Sequence, residues 1–502
     1  MVQDKTFFTP QDAQPTSISN SSVDDIFDII LSKIHPVDFN ALATVNRDRI
    51  FEALLEQYQQ QSGEDESDLT PQDTRELLES GDQISLSPKV YKVLFIMVLI
   101  DLSDEIGYPL ADFGAEVRVY SGTHWLTTVD DQLIHFVMRA GEKIGVPRFI
   151  ALDSDFAKKC IRQLQAAGYR KKIESNETMI NFLNGTLKFD HLGNYTLGDH
   201  SPDDLLTYVL PYEFDESAEA PVFEKYLDRV LPDEQKQDVL AEFIASCFTN
   251  HKHEKALILY GDGANGKSVF LEVITSALGN DNVCSHTLES LTDKSGYYRG
   301  QLGDYLLNYS GEISTSLNPD EFKKLASREK ISARYPYGRP FTIENYARIA
   351  FNCNELPEAE DTSEGFFRRF LIIEFDQYIR KEERDRDLHN KIIDSDLPGV
   401  MNWILKGVKR LTEQGTFSQC DSADRHLEIY RKEADTVQSF AESEDIKKMG
   451  EEAKASILHE KYLQYCSNFG YTPVGEKTFY IRLARCGLQK KRKSDGMYYL
   501  RE

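Results

Sequence analysis

Eight residues, GDGANGKS at 261–268, constrain this chain more than any other stretch. They satisfy the spacing G-x-x-x-x-G-K-[ST] and stand between an apolar run, ALILY at 256–260, and a helical pattern, VFLEVITSAL. A strand entering such a loop and a helix leaving it bring backbone N–H groups and a helix dipole to bear on one point, which suits a phosphate. Gly261, Gly263 and Gly266 supply the turns, with Asp262, Ala264 and Asn265 between them. Lys267 is expected to reach the β- and γ-phosphates and the Ser268 hydroxyl to ligate Mg2+, so ATP and Mg2+ are the expected ligands. The rival reading is an ordinary Gly-rich turn.

Three more short apolar runs follow: YLLNY at 305–309, ARIAF at 347–351 and FLIIEF at 370–375. Strands apolar on both faces require a sheet covered on both sides, and their alternation with helical segments predicts an α/β fold. YLLNY leads into Ser310-Gly311-Glu312, so Glu312 is expected to polarise water and to assist the metal, directly or through water. ARIAF runs into Asn352-Cys353-Asn354-Glu355-Leu356-Pro357, which places Asn354 at a strand's carboxyl end. There its amide could bond a γ-phosphate, or it could serve as a turn residue ahead of Pro357. Arg368 and Arg369 precede FLIIEF and read either as a salt-bridged strand edge or as a finger offered to a nucleotide across a subunit boundary. The segment KISARYPYGRPFTIE reads as a hairpin with Lys330, Arg334, Tyr335, Tyr337 and Arg339 near its tip. Such a tip suits DNA phosphates and bases, or it is a plain surface hairpin.

Charge narrows the partners. The 502 residues carry a net charge of −25, which excludes broad electrostatic coating of DNA or anionic membrane. The first 90 residues have a balance of −11 and hold the polar stretch QYQQQSGEDESD, read as a linker between expected helices: Val23 to Ile34 behind Ser21 and Ser22, Phe39 to Gln60, and one starting at Thr70-Pro71. Residues 451–502 reverse the sign to +4. There, helices over about 453–469 and 476–487 precede a basic turn with Lys490, Lys491, Arg492 and Lys493, then a strand, MYYLR. A recognition helix with a basic wing and a protein-docking domain with a solvated lysine turn both fit. Seven scattered cysteines give no zinc or disulfide pattern, and the longest apolar run, Val93 to Ile100, is too short to span a bilayer, so a buried helix, a cytoplasmic site and no membrane partner are expected.

In their order, GDGANGKS, LLNYSGE, the basic hairpin, FNCNELP and GFFRRFLIIEF resemble the superfamily 3 helicases, specifically the poxvirus-type and satellite-phage primase-helicase family of phages, plasmids and other mobile elements. The resemblance spans about 90–502, and VYSGTHWLTTVDDQLIHFVMRAG at 119–141 is similar to the family's domain preceding the motor. It implies an AAA+ P-loop ATPase core, a preceding mostly helical α+β domain and a C-terminal winged helix. It further implies Lys267 and Ser268 as Walker A, Glu312 as Walker B, Asn354 as sensor 1, and Arg369, or alternatively Arg368, as arginine finger. Single-stranded and forked DNA as track, a hexamer with ATP between subunits, the host cytoplasm for a phage-encoded chain, and room for a separate primase or polymerase come with it. The expected divisions are 1–87, 88–225, 226–400, 401–450 and 451–502. Gly311 departs from a paired Walker B acid. Arg328 stands where many relatives have glycine, and residues 1–90 lack paired metal-binding carboxylates, so no primase activity is assigned.

Overall fold

A computed structural model describes residues 22–45, 86–114, 116–170, 177–249, 251–311, 317–335, 338, 340–356, 361, 363–443, 452–486, 488–494 and 496–501. The expected linker at 57–68, the helix at Thr70-Pro71, and Glu312, Tyr337 and Arg339 lie outside the described residues. The chain divides into two compact units.

The first unit takes in the described residues up to 170, together with 180–188 and 196–214. Its helix Val23–Lys33 starts at a capping box in which Ser22 and Asp25 satisfy each other's backbone donors. Apolar residues of that helix meet the run Val93 to Ile100, which lies inside the helix Pro88–Glu105 as its continuous hydrophobicity predicts. Helices Asp130–Ile144 and Ser154–Ala167 close the core, and Phe27 stacks on Phe136 at 4.0 Å between centroids. A small antiparallel sheet of Leu110–Asp112, Val117–Tyr120 and Trp125–Thr127 packs beside them. The buried Asn181 amide donates to the carbonyls of Thr123 and Tyr208 and accepts from Thr186, so a polar group in the interior is fully used.

The second unit is built on a five-stranded parallel sheet. In chain order its elements are helices α1 (Pro221–Val230) and α2 (Glu234–Ala245), strand β1 (Ala256–Tyr260), helix α3 (Lys267–Leu278), strands β2 (Val283–Cys284) and β3 (Leu307–Ser310), and helix α4 (Pro319–Ala326). A hairpin, β4 (Ile331–Arg334) and β5 (Pro340–Ile343), stands apart from the main sheet, which is completed by β6 (Arg348–Cys353) and β7 (Phe370–Glu374) in the order β7-β1-β6-β3-β2. All four expected apolar runs contribute strands to it, each buried on both faces.

Two expected boundaries need correction, because residue 225 falls inside α1 and residue 400 inside the helix α5 (Leu388–Gln414). No break occurs at 400 because α5 lies directly on its neighbours. A Cβ on Gly399 would come within 2.7 Å of Ala220 N, and one on Gly407 within 2.6 Å of Ala241 C. Asp396 of α5 accepts from Val222 N and Phe223 N at 2.7 and 2.9 Å, capping α1 from about 170 residues away where its own Ala220 cannot. Helix α6 (Asp421–Ala434) covers β7, and α7 (Thr436–Glu442) leads to the last module.

That module holds β8 (Glu452–Lys454), α8 (Ala455–Phe469), α9 (Glu476–Arg485), β9 (Leu488–Lys493) and β10 (Gly496–Arg501), with sheet order β8-β10-β9. The basic run is a strand and not the expected turn. Lys490 to Lys493 pair antiparallel with Tyr499 to Gly496, and all four are exposed.

Candidate nucleotide and DNA sites

The loop between β1 and α3 takes positive φ at Gly261 (147°), Gly263 (90°), Ala264 (51°) and Gly266 (94°). Only glycine adopts most of these angles without strain, which is why the loop reads so clearly from sequence. Gly266 caps α3, so Lys267 is its first residue and Ser268, exposed, its second. The Lys267 ammonium is buried in the loop, donating to Gly261 O at 2.5 Å and to Asn265 Oδ1 at 3.2 Å. Burial lowers its pKa.

Distant backbone fixes the loop. Asn265 donates to Phe375 O at 2.9 Å, Ile379 N donates to Ala264 O at 2.9 Å, and Gly261 N donates to Cys353 O at 3.3 Å. Tyr226 of α1 donates its hydroxyl to Gly266 O at 2.8 Å, and Val230 sits so close that a Cβ on Gly266 would lie 2.7 Å from its Cγ1. Tyr226, Val230, Phe375 and Asp396 carry no motif signature, and their contribution comes entirely from tertiary position.

The parallel register brings other strand ends to the same edge. Cys353 lies opposite Tyr260 and Phe351 opposite Ser310, so Asn354 and Gly311 emerge beside the loop, with Asn354 exposed. Burial pushes the Cys353 thiol up to about 12, which keeps it neutral next to Lys267.

Arg368 and Arg369 are not part of this cluster in their own chain. Arg369 O accepts from Ala256 N at the start of β1, so both sit at the opposite end of the sheet, roughly 16 Å away at the usual strand rise. The preference for Arg369 as an outward-reaching finger needs correction. Its guanidinium is buried, donating to Ser327 Oγ at 2.8 Å and to Gly365 O. Arg368 is the exposed one, paired with Glu254 at 2.9 Å.

The expected hairpin pairs Ile331 with Ile343 and Arg334 with Pro340, with Ile331 and Ala333 facing the core. Arg328 enters it in a left-handed conformation (φ 49°), so the glycine-like backbone is kept with an arginine in it. Lys330 pairs with Glu344 at 2.6 Å. Arg334 bonds Gly338 O at 3.0 Å and lies 5.9 Å over the Tyr297 ring. A cavity of about 350 Å³ at the base of the hairpin is lined by Lys294, Arg299, Glu321, Lys324, Lys330 and Arg334 among others. Lys294, Arg299 and Lys324 are spread along the sequence, and only folding concentrates them. Among the described residues no group of three His, Cys, Asp or Glu side chains gathers as a metal site, and no helix is long and apolar enough to cross a membrane.

Residues 111–232 match a family described as D5 N terminal like, and residues 259–369 match a family of unknown function, DUF5906. A protein of Acanthamoeba polyphaga mimivirus described as a helicase is 23% identical over 317 residues, covering 56% of this chain and 32% of that protein. The chain thus spans about a third of that relative. Two structures of the apo C-terminal region of NrS-1 superpose with TM-scores of 0.44 and 0.45 at 13% and 12% identity, covering 81% and 82% of this chain and 97% and 99% of those chains. The family matches and the mimivirus relative bear out the resemblance to the phage-type superfamily 3 primase-helicases.

Proposed function

We propose that this chain is an ATP-driven DNA helicase motor of a phage, plasmid or other mobile element, with residues 221–434 as an AAA+ core and 452–501 as a winged helix. The observation that carries the reading is the loop 261–266 held open at a sheet edge, with Lys267 on its floor and the ends of β3 and β6 beside it. The residues present fit a nucleoside triphosphate. A Cβ on Gly263 would meet nothing within 4 Å, and the loop offers backbone donors at a helix start together with one buried ammonium.

In this reading Lys267 leaves Gly261 O for the β- and γ-phosphates, and Ser268 would hold Mg2+ with the help of Glu312, directly or through water. Magnesium when bound neutralises phosphate charge as the γ-phosphoryl departs. Glu312 orients the attacking water and Asn354 positions it against the γ-phosphate. Arg368, free to exchange Glu254 for a phosphate, acts on the nucleotide of a neighbouring subunit, which makes the working form a ring, a hexamer by family resemblance. Lys330 and Arg334 grip single-stranded DNA in its pore, while the exposed Lys490–Lys493 strand contacts duplex at the fork. A net charge of −25 is compatible with this, since positive charge is needed only at those places.

The test is steady-state ATP hydrolysis with and without single-stranded DNA, with Lys267→Ala as control. DNA-stimulated turnover that the mutant lacks supports the motor. Turnover that depends on Lys267 and ignores DNA would identify a nucleotide-switched assembly ATPase instead.

A further inference from the structure

At the amino-terminal edge of the sheet, opposite the phosphate loop, two arginines are buried side by side. Arg348 opens β6 and is 3% exposed, donating from Nε to Ser246 O at 3.0 Å and from Nη2 to His251 O at 2.6 Å. Arg328 is 8% exposed and donates from Nη1 to Thr249 O at 2.7 Å. Each guanidinium lies within the electrostatic reach of the other, and both act on His253. Neither makes an ion pair with a carboxylate among the described residues. Two nitrogen atoms of the cluster, Arg328 Nε and His253 Nε2, are buried with no hydrogen-bond partner.

The charge does not balance. An arginine does not give up its proton in a protein, so two full positive charges are present. Of the carbonyls that receive them, Ser246 O ends α2 while Thr249 O and His251 O follow it, and the negative end of a helix dipole is equivalent to only roughly half a charge. Cys247 lies within electrostatic reach of both arginines, yet burial pushes its thiol up to about 12 and keeps it neutral. Among the described residues more than one positive charge is therefore left uncompensated, together with the unmet Arg328 Nε donor, and such a burial is strongly unfavourable.

We infer that a small monovalent inorganic anion, of the size and charge of chloride, resides between Arg328, Arg348 and His253 and accepts hydrogen bonds from Arg328 Nε and His253 Nε2. It would secure Ser246, Thr249 and His251, which precede β1, to the turn that enters the hairpin.

The full chain, crystallised from sodium bromide, should show an anomalous peak within hydrogen-bond distance of Arg328 Nε. In solution, replacing sodium gluconate by sodium chloride at constant ionic strength should give a saturable upward shift of Tm. His253→Phe, which retains the ring packing against Phe417, should lose most of that shift even if Arg328→Met fails to fold. An ordered water in place of the bromide peak would overturn the inference, as would a Tm indifferent to the anion. So would thiolate absorbance near neutral pH that disappears in Cys247→Ala, because the counter-charge would then be internal.

Discussion

The guanidinium of Arg369 donates to the hydroxyl of Ser327 at 2.8 Å, tying the segment before β7 to the residue that ends α4. Ser327 precedes Arg328, whose left-handed turn starts the hairpin. One arginine of the pair thus points inward to the base of the proposed DNA-gripping element, and its neighbour points outward.

The two arginines should separate cleanly on mutation. Arg369→Ala leaves the Ser327 hydroxyl and Gly365 carbonyl unpaired and opens a void, for an expected loss of about 2–4 kcal/mol in denaturant unfolding. Arg368→Ala should leave stability within about 0.5 kcal/mol, since an exposed ion pair contributes little. Its turnover should nevertheless fall in the assembled form, and mixtures with wild-type subunits should lose activity more than proportionally. Normal turnover in assembled Arg368→Ala would remove it as the finger.

For the phosphate loop, Lys267→Ala should lower ATP turnover by about 10²-fold or more. Glu312→Gln should still bind nucleotide while hydrolysis slows by about 10²–10⁴-fold, the range for losing a positioned base. Equilibrium binding of a fluorescent nucleotide alongside phosphate release distinguishes the two. Loss of binding in Glu312→Gln would contradict its role.

Gly266→Ala tests the brace above the loop. The added methyl group must displace Val230 and adopt a left-handed angle, so nucleotide binding should weaken and stability fall by about 1–3 kcal/mol. Trimming Val230 to Ala in the same chain relieves the clash and not the backbone strain. Partial recovery of binding is therefore expected, and complete recovery would show that strain is unimportant.

Reversing charge at Lys330 and Arg334 should reduce DNA-stimulated turnover more than basal turnover. The salt dependence of single-strand binding should also flatten by about 0.7 for each phosphate the protein no longer neutralises. Equal loss of both activities would indicate damage to the fold. Lys294→Glu, in the basic cavity outside the hairpin, should act in the same direction if the phosphate track continues there.

The first unit should be acid-sensitive through His124. Burial, with His200 nearby, lowers its pKa to about 4, and its Nδ1 lies 2.9 Å from Thr123 Oγ1. The unfolded chain takes up this proton first as pH drops below about 6.5. Stability is therefore fully present above that pH and declines toward pH 4, by about 3 kcal/mol in total. Unfolding of His124→Gln should lack this part of the slope; an unchanged slope would place the acid sensitivity elsewhere.

Local backbone demands are legible in the sequence, and non-local supports are not. Gly261, Gly263 and Gly266 announce the loop because few other residues take those angles, and four apolar runs announce the sheet because both its faces are covered. Nothing in the sequence says which of Arg368 and Arg369 turns inward, since adjacent residues point to opposite sides as a strand begins. The basic run at 490–493 looks like a turn on composition alone, yet tyrosines across the hairpin draw it into a strand. The expected division at 400 does not exist, and Gly399 and Gly407 show why the helix passes through it.

Helix α1 also decides where a nucleotide-binding fragment can begin. The loop motif starts at Gly261, but Tyr226 and Val230 shape its far side, and α1 itself is capped by Asp396, so 221–230 and 396 are as much a part of the pocket as the lysine. A fragment cut to the motifs, from β1 to β7, would keep every recognisable signature and lose the scaffold that gives the loop its form. The smallest portable form of the proposed ATPase therefore reaches from before Pro221 to beyond the middle of α5.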